Sequence, residues 1–260
     1  MKSDKLKLVY IGNYPPRQCG IGTFTENLVR SVCSAVKPSG IELQSEIVAM
    51  NNGVVHTYPK EVSLTIQEDT PKDYRKAAAY VNSQADACIL QHEYGIFGKD
   101  HGRLILQLVQ ELSVPLIVTL HTVLKTPSEP QKRIVQILAD KAYQLVVMSR
   151  KAKMFLQESY GIASDKVSII EHGVPDFSRG SRKELRERFD FADKKIMLTF
   201  GLLGPGKGIE TMIRALPKVV EEFPEAEYWV LGKTHPNILK QEGEKYRENL
   251  MEMADSLGVG

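Results

Sequence analysis

Three of the six histidines in this 260-residue chain stand just past short apolar runs: His92, His121 and His172. A neutral imidazole there can donate a hydrogen bond from one nitrogen and accept at the other. His121, directly after Val118-Thr119-Leu120, is the best placed for catalysis. The spacing of the three lacks the HExxH pattern of a helical zinc site, so no metal site is expected. Glu93 and Arg17 lie at comparable positions, and with His92 they are candidates to meet an acceptor or a phosphate.

Two glycine-bearing segments suit anion binding. The first, from Asn13 to Thr23, carries Gly20 and Gly22 and opens a helix, whose N–H groups and dipole favour a phosphate or carboxylate. It matches GxGxxG only in part, because Thr25 stands at the third glycine. The second strand also ends at Met50-Asn51, without a ribose-binding acid, which argues against a dinucleotide cofactor. The second segment, Gly201 through Gly208, places Lys207 just ahead of a long amphipathic helix, where its ammonium can meet a phosphate. No GxSxG elbow, Walker motif or CxxC pair is present.

These residues need elements that bring strand ends together. Short β-branched runs alternate with helical periodicity, the pattern of a parallel sheet covered on both faces. Strands are expected at 6–12, 46–50, 87–91, 115–120, 144–148 and 167–170, with 62–66 as a further strand. Helices are expected at 73–84, 103–112, 129–143 and 150–160, and a first helix shows Ile21, Phe24, Leu28, Val32 and Val36 on one face. A polar stretch, 179–195, reads as a linker between a domain at 1–178 and a second at 196–260. The second contains a strand, a helix with Ile209, Met212, Ile213 and Leu216, another strand and a last helix stopped by Gly258. Two β/α units are few for an independent α/β domain, so the expected architecture is one complete Rossmann-like domain and the first two units of another.

The bulk composition excludes several classes. Hydrophobic residues make up 42% and charged residues 25%, and 34 Lys and Arg face 32 Asp and Glu, which gives no footprint for nucleic acid. Basic clusters at Lys72, Arg75 and Lys76 and at Arg150, Lys151 and Lys153 suit a peripheral membrane or phosphate contact, or a solvated helix face. Three scattered cysteines and no leader-like or membrane-spanning run point to a cytoplasmic protein.

Taken together, the Gly20-Ile21-Gly22 loop, Val118 through His121, Val167 through Val174 and Phe200 through Gly208 resemble the retaining glycosyltransferases of group 1 (family 4), with the GT-B fold. The resemblance implies an α/β protein of two Rossmann-like domains across a cleft. It implies transfer of a sugar from a nucleotide-sugar donor to a carbohydrate or glycolipid acceptor, with neither cofactor nor metal required. By the same resemblance, His121 lies beside the donor sugar. Lys207 binds the donor diphosphate with Gly201, Gly20 and Gly22 close over its phosphates, and Gly173 lines the same site. Leu202 stands where the family commonly has Arg, and the family's later pair of glutamates would fall beyond 260, so weak or no turnover is expected of this chain. A catalytically inactive sugar-nucleotide binding or regulatory protein on the same fold is the alternative.

Overall fold

The computed structural model describes residues 5–54, 56–174 and 180–260. The chain divides into two compact units, Met1–Pro175 and Asp176–Gly260.

The first unit is a seven-stranded sheet with all strands parallel. Its strands are β1 (Lys5–Gly12), β2 (Glu42–Asn51), β3 (Val62–Gln67), β4 (Ala87–His92), β5 (Leu116–Leu120), β6 (Gln144–Val147) and β7 (Val167–Ile169), in the order β3-β2-β1-β4-β5-β6-β7. The intervening helices are α1 (Gly20–Val36), α2 (Pro71–Gln84), α3 (Lys99–Gly102), α4 (Ile105–Val109), α5 (Glu129–Lys141) and α6 (Arg150–Tyr160). Strand residues alternate between two cores. Val9 and Ile11 of β1 join Val48, Leu90 and Val118 on one face, while Leu8 and Tyr10 pack with Ile47, Ala49 and Val29 of α1 on the other. Burial on both faces explains why the strands read as apolar runs.

The order reverses at β1: the chain steps outward to β2 and β3, then crosses to β4 on the other side. In such open sheets the crevice outside the carboxyl ends, at this switch point, is where ligands bind. It brings the loop after β1 beside the ends of β4 and β5.

The structure departs from the expected elements in particular places. The 103–112 helix is observed as the shorter α4, preceded by α3, within which Asp100 and His101 take left-handed backbone angles. Just before α3, Gly98 sits against the Glu68 carbonyl, leaving no room for a Cβ. The stretch read as a linker holds α7 (Arg182–Arg188), capped by reciprocal Ser181 and Glu184 hydrogen bonds. Residue 179 of that stretch lies outside the described residues.

In the second unit, β8 (Lys195–Phe200) pairs in parallel with β9 (Ala226–Leu231), joined through α8 (Ile209–Glu222). The region after β9 forms two helices rather than one, α9 (Pro236–Glu242) and α10 (Lys245–Ser256). Gly258, at φ 67, follows α10 as its sequence position suggested. Ile209 and Ile213 of α8 and Tyr246 and Leu250 of α10 cover one sheet face through Tyr228 and Val230. On the opposite face Leu198, Phe200, Trp229 and Leu231 are exposed, with Phe191 set edge-on against Trp229 at 5.0 Å. Among the described residues no helix is long and apolar enough to cross a membrane.

Candidate functional site

The loop from β1 to α1 folds back over the start of its helix. Arg17 N–H donates to the Tyr14 carbonyl at 3.2 Å, and Asn13 Nδ2 donates to Cys19 Sγ at 3.1 Å. Gly22 makes this possible: a Cβ there would meet the Arg17 carbonyl oxygen at 3.3 Å and the Tyr14 backbone at 3.5 Å. Gly20, in contrast, is exposed, with open space where a side chain would stand. The first helical bond of α1 is from the Thr23 N–H to the Cys19 carbonyl at 3.2 Å, so the N–H groups of Gly20, Ile21 and Gly22 precede the ladder, and the first turn contains no acidic side chain to compete with an anion.

Arg17 has a structural partner set. Its guanidinium donates to the Met50 carbonyl at 3.2 Å and to Glu68 at 3.4 Å, tying the loop to the end of β2 and the residue after β3. Its expected role of meeting acceptor or phosphate therefore competes with an ion pair already made.

The three strand-end histidines occupy three different environments. His92 is fully buried, its ring stacked on Phe97 and edge-on to Tyr94, and neither nitrogen has a partner among the described residues. Burial, reinforced by His121 nearby, pushes its pKa down to about 3. His92 was expected to meet an acceptor or a phosphate; here it follows the even residues of β4, Cys88 and Leu90, into the core shared with α2 and α4.

His121 is half-buried, and burial, with repulsion from His172 second, lowers its pKa to about 4. It is neutral at physiological pH. Its Nε2 lies 3.0 Å from Gln91 Oε1, and its ring is edge-on to Phe24 of α1 at 4.8 Å. Phe24 also contacts the exposed His172 at 5.1 Å, so α1 brings two of the three histidines together through one ring. His172 Nδ1 is 2.7 Å from the Gly173 carbonyl, and Gly173 itself is exposed. Glu93 accepts from Thr122 Oγ1 at 2.5 Å and from the Tyr94 N–H at 2.9 Å, linking the β4 and β5 ends.

Neither Phe24 nor Gln91 was singled out by sequence. Phe24 reads as one more apolar position of an amphipathic helix, and Gln91 as the last residue of a strand. A polar side chain closing an apolar strand beside a histidine was the one available signal.

In the second unit, Gly201 begins the β8–α8 loop and Lys207 lies exposed at the end of a single 3-10 turn, Pro205–Lys207, immediately before Gly208 and α8. Leu203 is buried, and its N–H and carbonyl bond to the 233–235 backbone, so the loop is anchored behind the lysine. Gly201 and Gly232 touch backbone to backbone: a Cβ on Gly232 would lie 1.7 Å from the Gly201 oxygen. Leu202 is half-buried and supplies no charge.

Among the described residues no cluster of three His, Cys, Asp or Glu side chains is placed to hold a metal ion. No family model matches the chain. Two curated proteins are similar in sequence. One is the GDP-mannose-dependent alpha-(1-6)-phosphatidylinositol monomannoside mannosyltransferase of Mycolicibacterium smegmatis, 32% identical over 79 residues, which are 30% of this chain and 18% of that protein. The other is the D-inositol 3-phosphate glycosyltransferase of Corynebacterium glutamicum, 27% identical over 166 residues, which are 56% of this chain and 38% of that protein. The matched stretches thus span well under half of either relative. Among solved structures, Anabaena HepE in complex with UDP and glucose superposes with a TM-score of 0.62 at 14% identity, covering 98% of this chain and 67% of that one. The α/β fold seen here is of the GT-B type, and over the matched stretches the chain is similar in sequence to these two glycosyltransferases.

Proposed function

We propose that this chain belongs to the group 1, retaining type and serves sugar transfer from a nucleoside diphosphate sugar to a hydroxyl of a carbohydrate or glycolipid. The observation that carries the proposal is His121: a partly buried, neutral imidazole at the end of β5, one strand from the switch point of the first sheet, its ring edge-on to Phe24 of α1. A neutral imidazole suits hydrogen bonding to an uncharged sugar hydroxyl, whereas an imidazolium would compete for the phosphates. In the transfer, the bond from the anomeric carbon to the diphosphate oxygen breaks, one to the acceptor oxygen forms, and the proton of the acceptor hydroxyl passes to the departing diphosphate. The charge gathering on the leaving diphosphate calls for fixed donors. The proposal assigns Lys207, exposed at the head of α8, to this stabilisation. The GDP-mannose and UDP of the similar proteins favour a nucleoside diphosphate sugar as the donor class.

Calorimetric titration with a panel of UDP- and GDP-sugars tests this reading. Binding of at least one donor is expected, weakened about tenfold in Lys207→Ala, the loss of roughly one charge-assisted contact. In His121→Ala, binding should persist while whatever transfer the wild-type chain supports falls at least a hundredfold, on the order of one general acid–base or orienting group. A panel in which no nucleotide sugar binds would overturn the proposal.

A further inference from the structure

We propose that Gln91 is a positioning residue that holds His121 as its Nε2–H tautomer, leaving Nδ1 to accept a hydrogen bond from a sugar hydroxyl. This rests on His121 serving the transfer described above, and it deepens that reading by saying which nitrogen is used and that the substrate group must donate.

Gln91 is fully buried, and its Oε1, 3.0 Å from His121 Nε2, makes the side chain's one polar contact among the described residues; its Nε2 has none. Burying an amide so incompletely paired costs stability that an apolar residue of the same size would keep. The cost makes sense if the bond to His121 is what the position requires. The neighbouring strand is shaped to admit it. A Cβ on Gly12 of β1 would lie 2.9 Å from Gln91 Cβ and 3.4 Å from its Cγ, and 3.6 Å from Thr25 Oγ1 of α1. Any side chain at Gly12 would push Gln91 off its present line.

His121 is fixed in other ways as well. Its N–H donates to the His92 carbonyl at 3.0 Å, carrying the β4–β5 ladder one step past Leu120, and Phe24 supports the ring edge-on. With backbone and ring plane set, the remaining freedom is which nitrogen carries the proton, and an acceptor oxygen at Nε2 places it there. The titratable groups near the ring are His92 of β4, Glu93 with its Thr122 and Tyr94 contacts, and His172; α1 presents the uncharged Phe24 and Thr25. None of these supplies a rival acceptor to Nε2.

Long-range nitrogen–proton correlation spectra of histidine-labelled protein report the tautomer of His121 without substrate. The expected result is Nε2–H in the wild type near neutral pH, a mixture of tautomers in Gln91→Met, and in Gln91→Glu an imidazolium persisting about two pH units higher, since an adjacent carboxylate favours the charged ring. In the transfer assay Gln91→Met should lower kcat about tenfold or more with KM within about twofold, because orientation and not donor binding is lost. A Nδ1–H tautomer in the wild type, or a His121 titration unchanged in Gln91→Glu, would overturn the proposal. The wild-type spectrum keeps the test available even if Gln91→Met does not fold. A pinned Nε2–H ring in a protein that binds no nucleotide sugar would refute the transferase reading and leave the pinning in place.

Discussion

His92 makes the stability of the first unit depend on pH in a direction that can be worked out. Its folded pKa, about 3, lies below the ordinary histidine value of 6.5. Between these values the unfolded chain binds the proton and the folded chain does not, so stability falls as pH drops through 6.5 and stops falling near 3. Linkage for this one group gives a loss of about 2 kcal/mol between about pH 7 and about pH 5. His92→Leu removes the titration while nearly conserving volume, and it removes two buried ring nitrogens that have no partner among the described residues. The variant should match or exceed wild-type stability near pH 7 and lose about 2 kcal/mol less on going to pH 5. Carboxylates such as Glu46 titrate in both proteins and cancel in the difference. Trp229, the single tryptophan, lies in the second unit, so the assay is urea unfolding read by hydrogen exchange of β4 and β5 peptides. Equal acid slopes in the two proteins would refute the burial argument and place His92 in contact with solvent or a proton-accepting partner.

Three further outcomes follow from close contacts. Gly232→Ala should destabilise the second unit by about 3 kcal/mol or more, since its Cβ would fall 1.7 Å from the Gly201 oxygen, and Trp229 fluorescence reads the loss. Gly22→Val should displace the Tyr14–Arg17 turn, lowering stability by about 1–3 kcal/mol and weakening donor binding together, checked by melting and calorimetry. Arg17→Ala should cost about 1 kcal/mol and loosen the same loop, with faster exchange at residues 14–19, because it frees the Met50 carbonyl and Glu68 from one guanidinium.

Periodicity made most of the first sheet legible, because a parallel strand buried on both faces reads as an apolar run, as at 8–11 of β1 and 116–118 of β5. Two stretches hold local structure that periodicity did not show: the 103–112 helix is preceded by left-handed Asp100 and His101, and α7 lies in a polar segment whose cap, Ser181 with Glu184, carries no hydrophobic period. The chain order of Gly20, Gly22, His121 and Lys207 was visible, as was their position at strand ends. Whether a strand-end side chain turns to solvent or to the core depends on register across the sheet: His92 and His121 look alike in sequence, yet one is sealed behind Phe97 and Tyr94 while the other meets Phe24.

The sequence by itself determined the α/β class, the strand ends where polar and glycine residues gather, and the likeness to glycosyltransferases, because these depend on residue type and spacing along one chain. The tertiary structure decided that His92 is core and that Arg17 is held by Met50 and Glu68. It also decided that Gln91, packed beside Gly12 of β1, meets the His121 ring. Each of these joins residues from different strands or loops. Their contacts are set by strand order and register, which no single segment of the chain encodes.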